Sequence, residues 1–336
     1  MDVVAFIFPL LSLKPEVVQF IIKCMDEIDI VTFSLISRGT KNLVESIGFT
    51  ATKITIYVQG GLLLSLKFRT KTIDFDLVEW NDEWREGIDD QYDMTVADVV
   101  SVEPDDVPEM VDYEMPNFEL KDWIGHLMFI FHIRFIDYFD FELSDCRFTF
   151  DSISREFNRN SVKHLIIPST GNQFYRQQLI DYFQAPRITI PSNDFPERHL
   201  FHRVLIQNHD FVCIYDGGNF TLNDLMITNS KAIRIYDGQT MMKTINRFIK
   251  LWQPGSNLRL ECLVIYLNEV WLPQDLFKSI TYTEMNDEIE VESDKREEYG
   301  LFDSNVRRGG YAIWGLRGIQ ARFFFHDNRI EMFIRF

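Results

Sequence analysis

Apolar residues recur along the chain with two periods, and the change from one to the other marks out its elements. From Phe6 to Gly48 the period is helical. Phe6-Ile7-Phe8-Pro9-Leu10-Leu11-Ser12-Leu13 leads into Lys14-Pro15-Glu16. Val17, Val18, Ile21, Ile22 and Met25 then share one helix face, with Phe20 and Cys24 widening the apolar stripe. Pro15 suits a first helical turn, because the N–H it lacks would find no partner there anyway. Asp26 or Asp29 is placed to cap a second helix over Ile30 to Ser37, and Thr40 to Ile47 forms a third with Leu43, Val44 and Ile47 inward. Below about 40 residues a chain rarely buries enough surface to stand alone. The surplus apolar face therefore predicts a docking surface for another protein, with Leu10, Leu13, Val18, Ile22 and Met25 contributing.

Further on the period falls to two. Lys53–Val58, Leu62–Phe68 and Thr72–Val78 alternate, with a turn at Gly60-Gly61, and predict a three-stranded meander over 49–78. A helix begins at Leu120, with Trp123, Ile124, Leu127, Met128 and Phe131 on its apolar face. Strand cores near Phe148, Ile166, Ile188, Val212, Ile233 and Val264 then come roughly 20 to 30 residues apart. Between them lie helical stretches at Tyr175–Phe183, about His199–Ile206, Leu222–Thr228 and Met241–Trp252. Each such unit leaves a face bare until its neighbour stacks on it, which predicts parallel strands in an irregular leucine-rich-repeat-like domain spanning 120–336. Gly310–Trp314, Ala321–Phe325 and Glu331–Phe336 close the chain as a second short meander, turning at Arg317-Gly318 and Asp327-Asn328. The expected class is mixed, α+β at the ends and α/β in the repeat region.

Charge changes the picture in one place. The formal net charge is -17, yet Glu79 to Glu119 holds 15 acidic residues against Arg85 alone, which is -14 of the total. With Pro104, Pro108 and Pro116 in it, this 79–119 segment is expected to be a disordered insert, a solvated spacer or else a docking site for a basic partner. A second acidic, loop-like stretch runs from Glu284 to Glu298. An acidic chain without a basic patch of interleaved aromatics is repelled by nucleic-acid phosphates. Cys24, Cys146, Cys213 and Cys262 lie far apart, which indicates neither a disulfide framework nor a zinc knuckle and fits a reducing compartment. The run Val3–Leu13 lacks the basic flank and cleavage site of a signal peptide, and Trp123–Ile136 is too short to span a bilayer, so no membrane role is expected.

Catalytic chemistry has little to stand on. His199, His202 and His209 are the one histidine cluster, without the spacing of a closed zinc site or a neighbouring cysteine. Gly217-Gly218 reads as a turn, and no Gly-x-Ser-x-Gly or Cys/His arrangement marks a nucleophile. No catalytic residue, metal or cofactor is assigned. The 30 Phe, 12 Tyr and 6 Trp are more than many cores hold, so some are expected on a protein-binding surface.

Two stretches resemble known families. Phe8-Pro9-Leu10-Leu11-x-Leu13, the apolar helix, Met25-Asp26-x-Ile28-Asp29 and Leu35-x-Ser37-Arg38-x-Thr40-Lys41-x-Leu43-Val44 resemble an F-box of the nematode form, except that Lys14 separates Leu13 from Pro15. Leu222-x-Asp224-Leu225-x-x-x-Asn229-x-Lys231 and Asn246-Arg247-Phe248-Ile249-Lys250-x-Trp252-x-x-Gly255-Ser256-Asn257-x-x-Leu260-Glu261 are similar to the nematode F-box-associated type 2 domain, as is Lys121-Asp122-Trp123-x-x-His126. The first resemblance implies docking on the Skp-type adaptor of an SCF (cullin-RING) ubiquitin ligase through Phe8, Pro9, Leu10, Leu13, Pro15, Val18, Ile22, Met25 and Leu35. The second implies capture of a protein substrate, in the cytoplasm or nucleus, by a non-enzymatic recognition subunit. A module of the same architecture without ligase coupling is the alternative. The two parts are expected to be separable, so that a chain lacking residues 1–48 still folds.

Overall fold

The structure is a computed structural model. It describes residues 10–59, 61–78, 93–94, 99–104, 110–115, 117–141, 148–167, 173–192, 195, 197–215, 219–236, 241–268, 270–286, 290–292 and 306–335. Phe8 and Pro9 of the expected docking set lie outside them.

The chain forms two compact units, the first comprising Met1–Tyr138 with Arg147–Ser161 and the second Phe139–Cys146 with Val162–Phe336. The first begins with a 3-10 turn at Leu10–Ser12 and three helices, α1 (Pro15–Lys23), α2 (Glu27–Leu35) and α3 (Arg38–Ile47). Each boundary has a local cause. Pro15 occupies the first turn of α1, the Asp26 carboxylate accepts from Asp29 N at 2.8 Å, and Ser37 and Thr40 exchange capping bonds. Gly48, in the left-handed region at φ 81°, ends α3. Because Asp26 rather than Asp29 is the cap, α2 starts three residues before the expected Ile30.

Strands β1 (Lys53–Gln59), β2 (Gly61–Lys67) and β3 (Thr72–Val78) form the expected antiparallel meander. It does not stop there. β4 (Val99–Pro104) pairs antiparallel with β3, and β5 (Val111–Glu114) with β4, so the 79–119 segment is not wholly a disordered insert. Charge masked these strands in the sequence, yet Val100, Val102 and Tyr113 alternate with polar residues and are buried. Helix α4 (Leu120–Ile130) comes next, burying Trp123, Ile124 and Leu127 as its spacing required, and α5 (Phe150–Glu156) completes the unit. Phe148, expected at a strand core, instead stands just before α5, where Thr149 caps the helix by accepting from Ser152 N.

The second unit is built on a large mixed sheet. β6 (Tyr138–Asp140), β7 (His164–Ile166), β8 (Arg187–Pro191), β9 (Phe211–Tyr215), β10 (Ala232–Ile235) and β11 (Cys262–Tyr266) lie parallel, each beside the next in sequence. The connections carry α6 (Gln173–Tyr182), α7 (Arg198–Leu205), α8 (Leu222–Ile227) and α9 (Met242–Trp252). After α10 (Pro273–Leu276) come β12 (Thr283–Glu284), β13 (Glu290–Glu292), β14 (Val306–Arg308), β15 (Tyr311–Trp314), β16 (Gln320–His326) and β17 (Arg329–Arg335). β17 pairs antiparallel with β11 and carries β16, β15 and β12 outward, while β13 and β14 pair separately.

The register explains why these strands read as continuous apolar runs. Ile188, Val212, Ile233, Leu263 and Met332 occupy one row, and Ile190, Ile214, Ile235, Ile265 and Ile330 the next row on the same face, all buried. The opposite face is mixed. Phe211, Cys213, Ala232, Cys262, Val264, Phe324 and Phe333 cluster there, with Arg187 and Arg234 stacked over the Phe211 ring at 5.0 and 5.4 Å.

Candidate functional site

The three N-terminal helices divide their apolar residues between two tasks. Val18, Ile22, Ile30, Val31, Phe33 and Val44 are buried and form the helices' own core. Val18 and Ile22, expected in the docking face, are 4% and 0% exposed, so that expectation is corrected. The helical period could not tell the inward from the outward edge of so wide a stripe. Leu10, Leu13, Met25 and Leu35 are half-buried, and Pro15 is exposed. Among the described residues of these helices, the large apolar side chains most accessible to water are Val17, Phe20 and Ile36, at 43%, 68% and 69% exposure.

The other side of these helices is fastened within the first unit by polar bonds. Ser34 Oγ donates to the Val31 carbonyl at 2.6 Å and meets His126 Nε2 at 2.7 Å, so the imidazole N–H is the donor to Ser34. Thr32 Oγ1 donates to the Ile28 carbonyl and accepts from the Tyr113 hydroxyl at 2.7 Å. Glu27 pairs with Lys71, His132 Nε2 lies 2.9 Å from the Glu45 carbonyl, and Lys41 stands over the Phe129 ring at 5.0 Å. Helices α1 to α3 therefore share one compact unit with β5 and α4 and with Lys71 beside β3. A chain lacking them exposes the face that Ser34, Thr32 and Glu45 hold, which corrects the expectation of a freely separable module.

His126 makes this junction sensitive to acid. Burial, with repulsion from Lys41, lowers its pKa from 6.5 to about 4. The unfolded chain thus takes up a proton near pH 6.5 that the folded chain refuses until about pH 4. The stabilisation is complete above pH 6.5 and is lost as the pH falls towards 4, amounting to about 3 kcal/mol. His126→Gln, which keeps an N–H donor but cannot titrate, is expected to flatten the melting-temperature profile across that interval. A profile as steep as the parent's contradicts this.

In the second unit, the residues that carried the sequence resemblance act as ties between strand-helix units. The Asp224 carboxylate is fully buried; it accepts from Thr221 N at 2.6 Å and His202 Nε2 at 2.8 Å, and it pairs with Arg198. Burial alone would raise its pKa, but the bonds from Thr221, Arg198 and His202 outweigh that and hold it below the ordinary carboxylate value. Asn229 donates to Asn208 Oδ1 at 2.6 Å, Lys231 pairs with Asp210 at 2.7 Å, and Arg259 reaches Asn208 O, Asn229 O and Asp210. Asn257, left-handed at φ 52°, donates to Leu225 O at 2.9 Å, and Asn246 donates to Leu276 O and Lys278 O. Each polar tie reaches into a neighbouring connection. These positions stack the fold.

The histidine cluster is not brought together. His199 pairs with Glu197, His202 with Asp224, and His209 Nδ1 lies 3.1 Å from the Ala185 carbonyl. Among the described residues no group of three or more His, Cys, Asp or Glu side chains converges as a metal site, and no helix is long and apolar enough to cross a membrane. Along α9 runs a surface groove of about 530 Å³ that the sequence reading missed, because its cations are spread over two stretches.

Comparison with known proteins places both parts. Residues 10–52 match the family model of the F-box domain, and residues 200–265, from α7 to β11, match that of an F-box associated domain. Together these matches support an F-box protein with an F-box-associated domain of the nematode type. It is similar to the F-box associated domain-containing protein sdz-33 of Caenorhabditis elegans, with 22% identity over 309 residues, covering 84% of this chain and 87% of that protein. No solved structure matches it.

Proposed function

We propose that this protein is a substrate-recognition subunit of an SCF-type ubiquitin ligase: its F-box docks on a Skp-type adaptor and through it a cullin, and its second unit holds a protein substrate. The observation that carries this reading is the F-box match together with Val17, Phe20 and Ile36, which leave an apolar face uncovered on that domain. Half-exposed Leu10, Leu13, Met25 and Leu35 and exposed Pro15 widen that face, and Phe8 and Pro9 complete the docking set. The ubiquitin chemistry belongs to other chains, no catalytic group or cofactor is assigned here, and the setting is intracellular. The second unit supplies the capture half, read as an irregular leucine-rich-repeat-like array whose parallel strands and connections present an extended surface.

A second reading, the same architecture without ligase coupling, is favoured by Lys14. It stands at the start of α1 without a side-chain capping bond and separates Leu13 from Pro15. A degradation time course of the best co-purifying protein separates the two. Full-length chain is expected to shorten that protein's half-life, and a variant impaired in the F-box face, at matched level, is expected to lengthen it by holding it away from the ligase. If both forms accelerate its loss equally, or neither does, the ligase reading fails.

A further inference from the structure

The groove along α9 carries a charge opposite to that of the chain. Lys243, Arg247 and Lys250 line it from the helix and Lys278 from the turn after α10, four cations against the single carboxylate of Asp275, in a protein of net charge -17. Spacings of four and three residues put the three α9 cations on one helix face, about 10 Å from first to last. Like charges so placed repel one another. Among the described residues no carboxylate lies within ion-pair distance of any of the four, so the repulsion is not relieved. The opposite wall is fixed: Asn246 holds it by donating to the carbonyls of Leu276 and Lys278 at 2.6 and 3.0 Å. Met242 and the stems of the long cationic side chains give the groove an apolar floor.

From this geometry we infer that the α9 groove binds an extended acidic peptide segment of a partner protein, with carboxylates at alternate positions along the cationic row. An extended chain advances about 3.3 Å per residue, so acidic side chains two residues apart fall about 7 Å apart on one side and a stretch of four or five residues spans the row. A single small anion gains little here, because all four cations are exposed to water. Nucleic acid and anionic bilayers present charge far beyond the groove and meet the repulsion of the rest of the chain. The inference rests on the second unit being the substrate-holding half. Its test needs neither adaptor nor cullin, so failure of ligase coupling and failure of the groove are read separately.

The probe is a fluorescein-labelled hexapeptide of alternating glutamate and leucine, titrated with full-length protein by fluorescence anisotropy beside the matching glutamine–leucine peptide. The glutamate peptide is expected to bind at least tenfold more tightly, and the preference to shrink as salt is raised. K243E/R247E changes two exposed side chains and is expected to keep the parent's melting temperature while losing tenfold or more of that binding, whereas K243R/R247K retains it. Equal binding of the two peptides, equal binding by the charge-reversed variant, or absence of peptide binding overturns the inference. So does stronger binding of a single-stranded oligonucleotide or of phosphatidylserine vesicles than of the peptide.

Discussion

Replacing Phe20 and Ile36 together with aspartate is expected to abolish capture of a Skp-type adaptor while leaving the melting temperature within about 2 °C of the parent's. Both side chains are more than two-thirds exposed in the chain alone, so little of the domain's own core is disturbed. In a complex the same positions would be desolvated. A large apolar anchor at an interface contributes about 2 kcal/mol, and an unpaired carboxylate put in its place costs about 3 kcal/mol or more. Even half the combined effect weakens binding about a hundredfold. Co-purification of adaptor and cullin with parent and variant chains checks it, and undiminished recovery with the variant removes Phe20 and Ile36 from the contact. Ile22→Asp is the instructive contrast. Ile22 is fully buried, so that change is expected to lose adaptor and melting transition together.

The second large effect lies far from that face. Asp224→Ala is expected to destabilise the second unit by about 3 to 5 kcal/mol, because it leaves Arg198 and His202 without their buried acceptor and removes the carboxylate that closes the capping box of α8. A domain's whole stability is about 5 to 15 kcal/mol, so the variant is expected to unfold at a visibly lower denaturant concentration. Asp224→Asn, which keeps an acceptor for Thr221 but not the charge, should fall between. The same group sets an acid limit. Its depressed pKa means the stabilisation is present above the ordinary carboxylate value of 3.8 and disappears as the pH falls through the folded value below it. Urea titrations of parent and variants at neutral pH decide the point; unchanged midpoints would show that the ties are dispensable.

Much of this fold was legible in the sequence, for reasons that identify what was not. Ile188, Val212, Ile233 and Val264 announced their strands because parallel strands buried on both faces are apolar at successive positions, and α9 announced itself because Ile245, Phe248, Ile249 and Trp252 keep the helical period. β4 and β5 were hidden because their apolar residues stand among carboxylates whose summed charge reads as disorder. The docking face was legible as a surplus but not as a list. Val18 and Ile22 share one helix with Val17 and Phe20, and only the placement of α3 and of the first unit's other elements decides which pair faces water. The motif of the F-box-associated domain was recognisable for a similar reason: Asp224, Asn246 and Asn257 are fixed by backbone groups they satisfy, and Asn229 by the side chain of Asn208. Of the groove cations, Arg247 and Lys250 stand inside that motif and Lys243 and Lys278 outside it, so the row was not legible as one feature.

Docking on a Skp-type adaptor is most directly tested by titrating purified full-length protein with a purified nematode Skp-type adaptor in a calorimeter. A one-to-one complex with a dissociation constant of about 1 μM or tighter, lost in the F20D/I36D variant, is the predicted result. Absence of heat, together with separate elution of the two proteins in gel filtration at about ten times that concentration, would contradict it.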